Sequence, residues 1–132
     1  MVLYRDIDIS FTPDRGGDLA VVEDERAVSQ SIRSLVLTSI YERPFQPSIG
    51  SIINQLLFAP YDAITQRVLA ETIKNTVTQF EPRATLKFVD FYSGKGPMGE
   101  TLDDHAVVIN IGFLVYNRPA LVTTSIVLRR LR

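Results

Sequence analysis

Few side chains in this sequence could do acid–base or nucleophilic chemistry. The 132 residues include no cysteine and one histidine, which excludes a thiol nucleophile, a disulfide framework and thiolate or histidine-rich metal sites. The histidine, His105, follows Asp103 and Asp104, so a carboxylate could orient its imidazole as a general base. A solvated loop residue is the simpler interpretation of this group. The sequence therefore predicts no catalytic residue, no metal and no cofactor.

Glu42 and Glu81 are the candidates for a hydrolytic carboxylate pair, since each lies beside a proline in the sequence or close to one. A glycosidase needs two carboxylates roughly 5 to 9.5 Å apart. The sequence does not fix the separation of these two, and we expect both to be exposed at corners of the chain. Hydrolysis is therefore the weaker hypothesis.

Two further clusters have ordinary explanations. Gly94, Gly96 and Gly99 lack the lysine and the following helix of a phosphate-binding loop, and a hairpin loop explains them. The basic residues within the range 129–132 fit a solvated strand end. The alternative is a rim charge that orients a neighbouring subunit.

Two proline corners have the composition of a protein interface. In Glu81-Pro82-Arg83 the proline fixes φ and holds its neighbours in a defined relation, and the arginine offers a planar fork of donors to a partner. An internal salt bridge is the alternative. In Arg43-Pro44-Phe45 an arginine and an aromatic ring share a stiff corner, as in interface anchors. Here the alternative is packing of Phe45 into the core.

The elements that position these corners follow from the hydrophobic period. Residues 1–22 alternate around a turn and predict a short hairpin or an extended arm. Residues 23–81 have a helical period and residues 84–131 a period of two, typical of antiparallel strands. We therefore predict an α+β fold, with helices packed on a small antiparallel meander in a single domain over 1–132.

Three helices are expected between residues 23 and 81. The first, Glu23–Tyr41, has one apolar stripe and is ended by Pro44 and Pro47. A short helix follows over Ser51–Leu57. The third, Asp62–Phe80, has Asp62 as its N-cap. We expect its inner face to consist of Ile64, Val68, Thr72 or Ile73, Val77 and Phe80.

Composition narrows the classes of partner. A content of 45% hydrophobic and 22% charged residues suits one compact domain. Fourteen basic and fifteen acidic residues give a net charge of -1, so we expect neither a nucleic acid nor a membrane surface as a partner. No targeting segment and no apolar run of spanning length is visible, which predicts a soluble product made in a cytoplasm.

The order of four motifs resembles one known family. They are Ala27–Ile32, the corner Glu42–Gly50, the helix Leu56–Phe58 and the corner Glu81–Arg83 followed by strands. Together they resemble the lysozyme-like baseplate wedge family of contractile tails, whose members initiate the sheath. The resemblance covers nearly the whole chain, from about residue 29 to residue 128.

This resemblance implies a structural role without enzymatic activity. Family members join the inner wedge core to the first sheath ring, and their sheet resembles the handshake domain of sheath proteins. Glu81, Pro82 and Arg83 correspond to the family's contact to the wedge core. Arg43, Pro44, Phe45 and Gly50 complete the predicted protein-interaction set.

The other partners follow from the same resemblance. Exposed sheet edges would accept arms of the first-ring sheath protein as added strands. Six copies are expected in a sixfold baseplate assembled in the bacterial host cytoplasm, with tail tube or hub proteins as further partners. The machine could be a phage tail, a tailocin, an extracellular injection system or a type VI secretion system. The alternatives are a murein-hydrolysing baseplate enzyme and a ligand-binding α+β module.

Overall fold

The computed structural model describes residues 2–56, 60, 62–103 and 105–129. Its elements in chain order are β1 (Arg5–Ile7), β2 (Val21–Glu23), α1 (Asp24–Leu37), α2 (Ile53–Leu56), α3 (Ala63–Phe80), β3 (Ala84–Ser93), β4 (Ala106–Val115) and β5 (Leu121–Arg129). The predicted α+β fold is confirmed. The predicted end of the short helix at Leu57, the acid Asp104 and the basic residues Arg130 and Arg132 lie outside the described residues. Within them, no helix is long and apolar enough to cross a membrane.

The main sheet is an antiparallel meander of order β3-β4-β5. Its central strand β4 turns alternate residues toward the helices, and these are fully or almost fully buried: Val107, Ile109, Ile111, Phe113 and Val115. They join buried residues of α1, α2, α3 and β5 in one core. Both long helices therefore pack on the same face of the sheet, and this packing fixes where their ends lie.

The buried face of α3 differs from the predicted one. Ile64 is 74% exposed and Val68 41% exposed, so their assignment to the inner face was wrong. The buried residues are Leu69, Ile73, Thr76 and Val77. Apolar residues occupy two adjacent rows of this helix, and only one row can face the core. The predicted cap is present, because Asp62 Oδ1 accepts a hydrogen bond from the backbone N–H of Thr65 at 2.7 Å.

Helix α1 ends at Leu37, four residues before the predicted end at Tyr41. The carbonyl of Ser34 accepts hydrogen bonds from the N–H and the Oγ1 of Thr38, at 3.0 and 2.6 Å. The carbonyl of Thr38 then accepts from the N–H of Ser51 at 2.8 Å. Pairing with a distant segment therefore ends the helix before either proline is reached.

The N-terminal residues form an antiparallel hairpin of β1 and β2, and Asp24 fastens it to the domain. Asp24 Oδ1 accepts from the N–H groups of Leu3 and Tyr4 at 2.8 and 3.2 Å, and Oδ2 from the Arg118 guanidinium at 2.7 Å. The Leu3 N–H is the main reason that the pKa of Asp24 lies below its usual value. One buried carboxylate thus joins the hairpin, α1 and the β4–β5 turn.

Candidate functional site

Helix α1 brings the two proline corners to one side of the molecule. Ser31 and Ser34 lie about one turn apart on the helix. Ser31 Oγ donates a hydrogen bond to the Glu81 carboxylate, and Ser34 Oγ accepts one from the Arg43 guanidinium at 3.4 Å. Neither serine was in the predicted protein-interaction set, although Ser31 lies in the motif Ala27–Ile32. Their only signal was a pair of small polar residues three apart, beside the apolar stripe.

The Glu81-Pro82-Arg83 corner is held together by an internal ion pair. Arg83 donates from Nε and Nη2 to the two carboxylate oxygens of Glu81, at 2.6 and 2.9 Å. The Glu81 side chain is 3% exposed and that of Arg83 is 29% exposed. The prediction that Glu81 is exposed was therefore wrong. The corner contains the internal salt bridge that was its alternative interpretation. Burial is favoured here because the guanidinium and the Ser31 hydroxyl satisfy the carboxylate.

The environment of this pair sets its electrostatics. Burial raises the pKa of Glu81, but the hydrogen bonds from Arg83 and Ser31 outweigh it and leave the pKa below its usual value. The hydrogen bond to Glu81 in turn raises the pKa of Arg83. The Arg83 guanidinium also lies over the Tyr4 ring, 5.3 Å from its centroid. The N-terminal segment thus packs against the corner.

Residues 38–51, here called the corner loop, are closed at their base by a glycine. Gly50 is buried and has a φ of +144°. A Cβ on it would lie 2.8 Å from backbone atoms of Thr38 and Ser39. Only glycine permits this close approach, which lets the N–H of Ser51 reach the carbonyl of Thr38. The predicted residue Gly50 therefore shapes the loop.

The tip of the corner loop exposes two aromatic side chains. Tyr41 is 82% exposed and Phe45 fully exposed, so packing of Phe45 into the core is wrong. Both have a positive φ, of 70° and 66°, which costs an L-residue about 1 kcal/mol or more. Exposed rings on a strained backbone are typical of a binding loop, since folding of the chain alone gains nothing from them.

The candidate catalytic groups lack the geometry of an active site. Glu42 is exposed, and its Oε2 accepts from the N–H of Ser39 at 2.7 Å. Glu81 is ion-paired with a lowered pKa, whereas a general acid needs a raised one. His105 is exposed at the start of β4, and Asp103 forms an exposed ion pair with Arg129 at 3.6 Å. No group of three acidic or histidine side chains among the described residues could hold a metal.

A second surface lies along α1 next to the first, since Gln30 and Ser34 line both. A groove of about 730 Å³ runs between this helix and β5, the last strand of the sheet. Its floor includes Val122, Thr123 and Thr124, and its helix wall includes Arg26 and Arg33. The sequence predicted β5 but did not predict that a charged face of α1 would lie beside it.

Comparison with known proteins gives consistent matches. Residues 22–120 match the family model described as baseplate wedge protein gp25. The chain is 26% identical over 117 residues to baseplate wedge protein gp25 of Enterobacteria phage T4, covering 89% of this chain and 83% of that protein.

Solved structures share the fold at lower identity. A crystal structure of a candidate tail lysozyme from Geobacter sulfurreducens has a TM-score of 0.69 at 20% identity, over 82% of this chain and 92% of that one. A chain of the sixfold-symmetrised anti-feeding prophage baseplate has a TM-score of 0.65 at 18% identity, covering 98% and 87%. A chain of the post-contraction pyocin R2 baseplate has a TM-score of 0.56 at 15% identity, covering 93% and 97%.

Proposed function

The chain belongs to the gp25 family of baseplate wedge proteins, and we propose that it joins the inner wedge to the first sheath ring of a contractile tail. As a member, it is a baseplate wedge protein of a contractile tail system. The observation that carries the proposal is the full exposure of Phe45 on the side of the molecule where both proline corners lie. Its loop is held in shape by Gly50, where no other residue fits. This is the build of an interface anchor.

The two corners have different parts in wedge binding. Arg43, Pro44 and Phe45 contact the wedge core directly, and Gly50 holds their loop in shape. Glu81 does not reach a partner, since it is buried beneath its own arginine. Pro82 is exposed and Arg83 partly so. Arg83 therefore contributes its outer face, in an orientation that Glu81 fixes.

The sheath contacts the neighbouring surface, through the free edge of β5. That strand runs over nine residues without a bulge, a proline or a lysine, so it offers a regular row of backbone donors and acceptors. The other edge strand, β3, has an irregularity between Leu86 and Phe88 and carries Lys87 there. Bulges and lysines are devices that discourage strand addition. We therefore assign sheath-strand addition to β5, in the groove beside α1.

The assembly follows from the same role. Six copies occupy a sixfold baseplate of a phage or tailocin particle, assembled in the host cytoplasm and close to tail tube or hub proteins. The anti-feeding prophage baseplate, whose chain shares this fold, is sixfold symmetrised. The protein acts without catalysis, and murein hydrolysis is not favoured, because Glu81 is ion-paired and Glu42 is engaged within its loop.

Separate capture assays test the two contacts. Wild-type protein, Phe45→Ala and Thr123→Lys are each mixed with the wedge proteins and the sheath protein of the same particle. We expect Phe45→Ala to capture less wedge protein than wild type and as much sheath protein. Thr123→Lys should show the reverse, because a lysine on the edge discourages strand addition.

The matched control is Thr85→Lys, which places the same charge on the exposed edge strand β3. It should capture both partners. Equal loss of sheath in both lysine variants would contradict the assignment to β5. Wild-type protein that captures neither partner would contradict the proposed function itself.

A further inference from the structure

The side of the molecule where the corners meet contains a cavity of about 300 Å³. Ser31 and Ser34 of α1 line it, together with Arg43 of the corner loop and Phe80 at the end of α3. Asp6 of the hairpin lines it as well. The cavity is therefore built from four parts of the chain, and it is large enough for a side chain from another protein.

The two arginines at this side differ in how their charge is satisfied. Arg83 makes two short hydrogen bonds to Glu81. Arg43 is half-buried and makes one hydrogen bond of 3.4 Å, to Ser34 Oγ. In the described part of the chain, no carboxylate oxygen lies within 4.0 Å of its guanidinium. A partly buried guanidinium has five N–H donors and keeps most of its affinity for an anion when only one long bond is made.

We propose that this cavity is the receptor for an aspartate or glutamate side chain of the wedge partner, which pairs with Arg43. The inference rests on the proposed wedge contact and names the group that it recognises. Ser34 Oγ accepts from the guanidinium and keeps its own proton for the incoming carboxylate. Leu35, Ile49 and Phe80 provide apolar lining for the methylenes of the incoming side chain. Pairing in a half-buried site strengthens such a bond.

The charges around the cavity favour a single carboxylate over a more highly charged anion. Asp6 is the acid on its wall, and it interacts favourably with Arg83. A phosphate group would bring about two negative charges toward that aspartate. One carboxylate can bind at the Arg43 end while Asp6 stays close to Arg83.

The first test measures affinity for the purified wedge proteins of the same particle. We expect Arg43→Gln to weaken binding at least tenfold at about 0.15 M salt, and Arg43→Glu to weaken it more, because like charges then meet. The matched control is Arg67→Gln, an exposed arginine of α3, which should bind like wild type. Thermal unfolding of each variant should match wild type, since Arg43 makes one long hydrogen bond.

The second test identifies the partner group chemically. Arg43→Lys keeps the positive charge and introduces an amine into the cavity. A carbodiimide activates a nearby carboxylate, and the amine displaces the urea to leave an amide bond between the chains. Mass spectrometry should find this bond at position 43, joined to an aspartate or glutamate side chain of a wedge protein, and wild-type protein cannot form it there.

The outcomes separate the two proposals. Wedge binding that Arg43→Gln leaves unchanged, or a cross-link at position 43 to a C-terminal carboxylate or to none, overturns this inference while the proposed function stands. Wild-type protein that does not bind the wedge proteins overturns both. Loss of binding in Arg43→Gln with a melting temperature well below that of wild type, and no cross-link at position 43, assigns Arg43 to folding instead.

Discussion

The two proline corners look alike in sequence and differ in structure. At Glu81-Pro82-Arg83 the opposite charges satisfy each other, the carboxylate is buried and its pKa is lowered. In Arg43-Pro44-Phe45 the arginine has one long hydrogen bond and the ring is fully exposed. In the first corner the two charged side chains pair with each other. In the second, the arginine charge and the apolar ring are left for a partner to contact. The difference indicates that the composition of a proline corner does not show whether its residues bind a partner or stabilise the fold.

Removal of the buried charge should have the largest effect on stability. Glu81→Gln leaves Arg83 beside a neutral amide, and we expect the free energy of unfolding to fall by about 2 to 3 kcal/mol, less than for a fully buried pair because Arg83 is partly exposed. Urea denaturation measures the loss. Glu71→Gln, at an exposed position on α3, should change stability by less than about 0.5 kcal/mol. Equal losses of stability in Glu81→Gln and Glu71→Gln would show that the Glu81–Arg83 pair does not stabilise the fold.

A substitution at Gly50 tests whether the base of the corner loop requires glycine. Gly50→Ala combines an unfavourable φ with a Cβ 2.8 Å from backbone atoms, and we expect a loss of about 2 kcal/mol in stability, together with weaker wedge binding. Gly94→Ala is the matched control, because Gly94 also has a positive φ but no atom within 4 Å of an added Cβ. The excess loss in Gly50→Ala measures the close approach, and no excess would contradict it.

The tip of the loop should affect binding without affecting stability. Phe45→Ala removes a fully exposed ring, so we expect wedge binding to weaken by about 1 to 2 kcal/mol with an unchanged melting temperature. Tyr116→Ala, which removes a ring that is 66% exposed elsewhere, is the control for loss of apolar surface. Because the chain has no cysteine, a fluorophore on Phe45→Cys can also report burial of the tip on docking.

The smallest effect is the pH dependence of the buried corner. The pKa of Glu81 is lower in the folded chain than its usual value. Its contribution to stability is therefore complete above the unfolded pKa of about 4.3 and is lost as the pH falls through the folded pKa. We expect the stability gap between wild type and Glu81→Gln to stay constant from pH 7 to 5 and to narrow in stronger acid. Urea denaturation across that range measures it, and a constant gap down to pH 3 would contradict the ion pair.

Sequence patterns identified the strands and the fold class because period and turn residues act locally. The cap at Asp62 is likewise a local event and was predicted. The end of α1 was not, since Ser51 decides it from a distance. The burial of Glu81 was missed for the same reason, because its partner Ser31 lies fifty residues away. On α3 the choice between two apolar rows depends on the sheet, which the helix sequence does not contain.

The Asp24 junction has a consequence for the timing of synthesis. Arg118 follows Asp24 by 94 residues, so at bacterial rates of about 5 to 20 residues per second it leaves the ribosome on the order of ten seconds later. Until then the junction at the hairpin lacks the ion pair between Asp24 and Arg118. Strand β5, which follows Arg118 in the sequence, has not yet been made. The N-terminal hairpin is therefore fully secured only when the sheet edge that we assign to the sheath is being completed. A chain that stops before Arg118 would lack both the ion pair to Asp24 and the edge strand for the sheath.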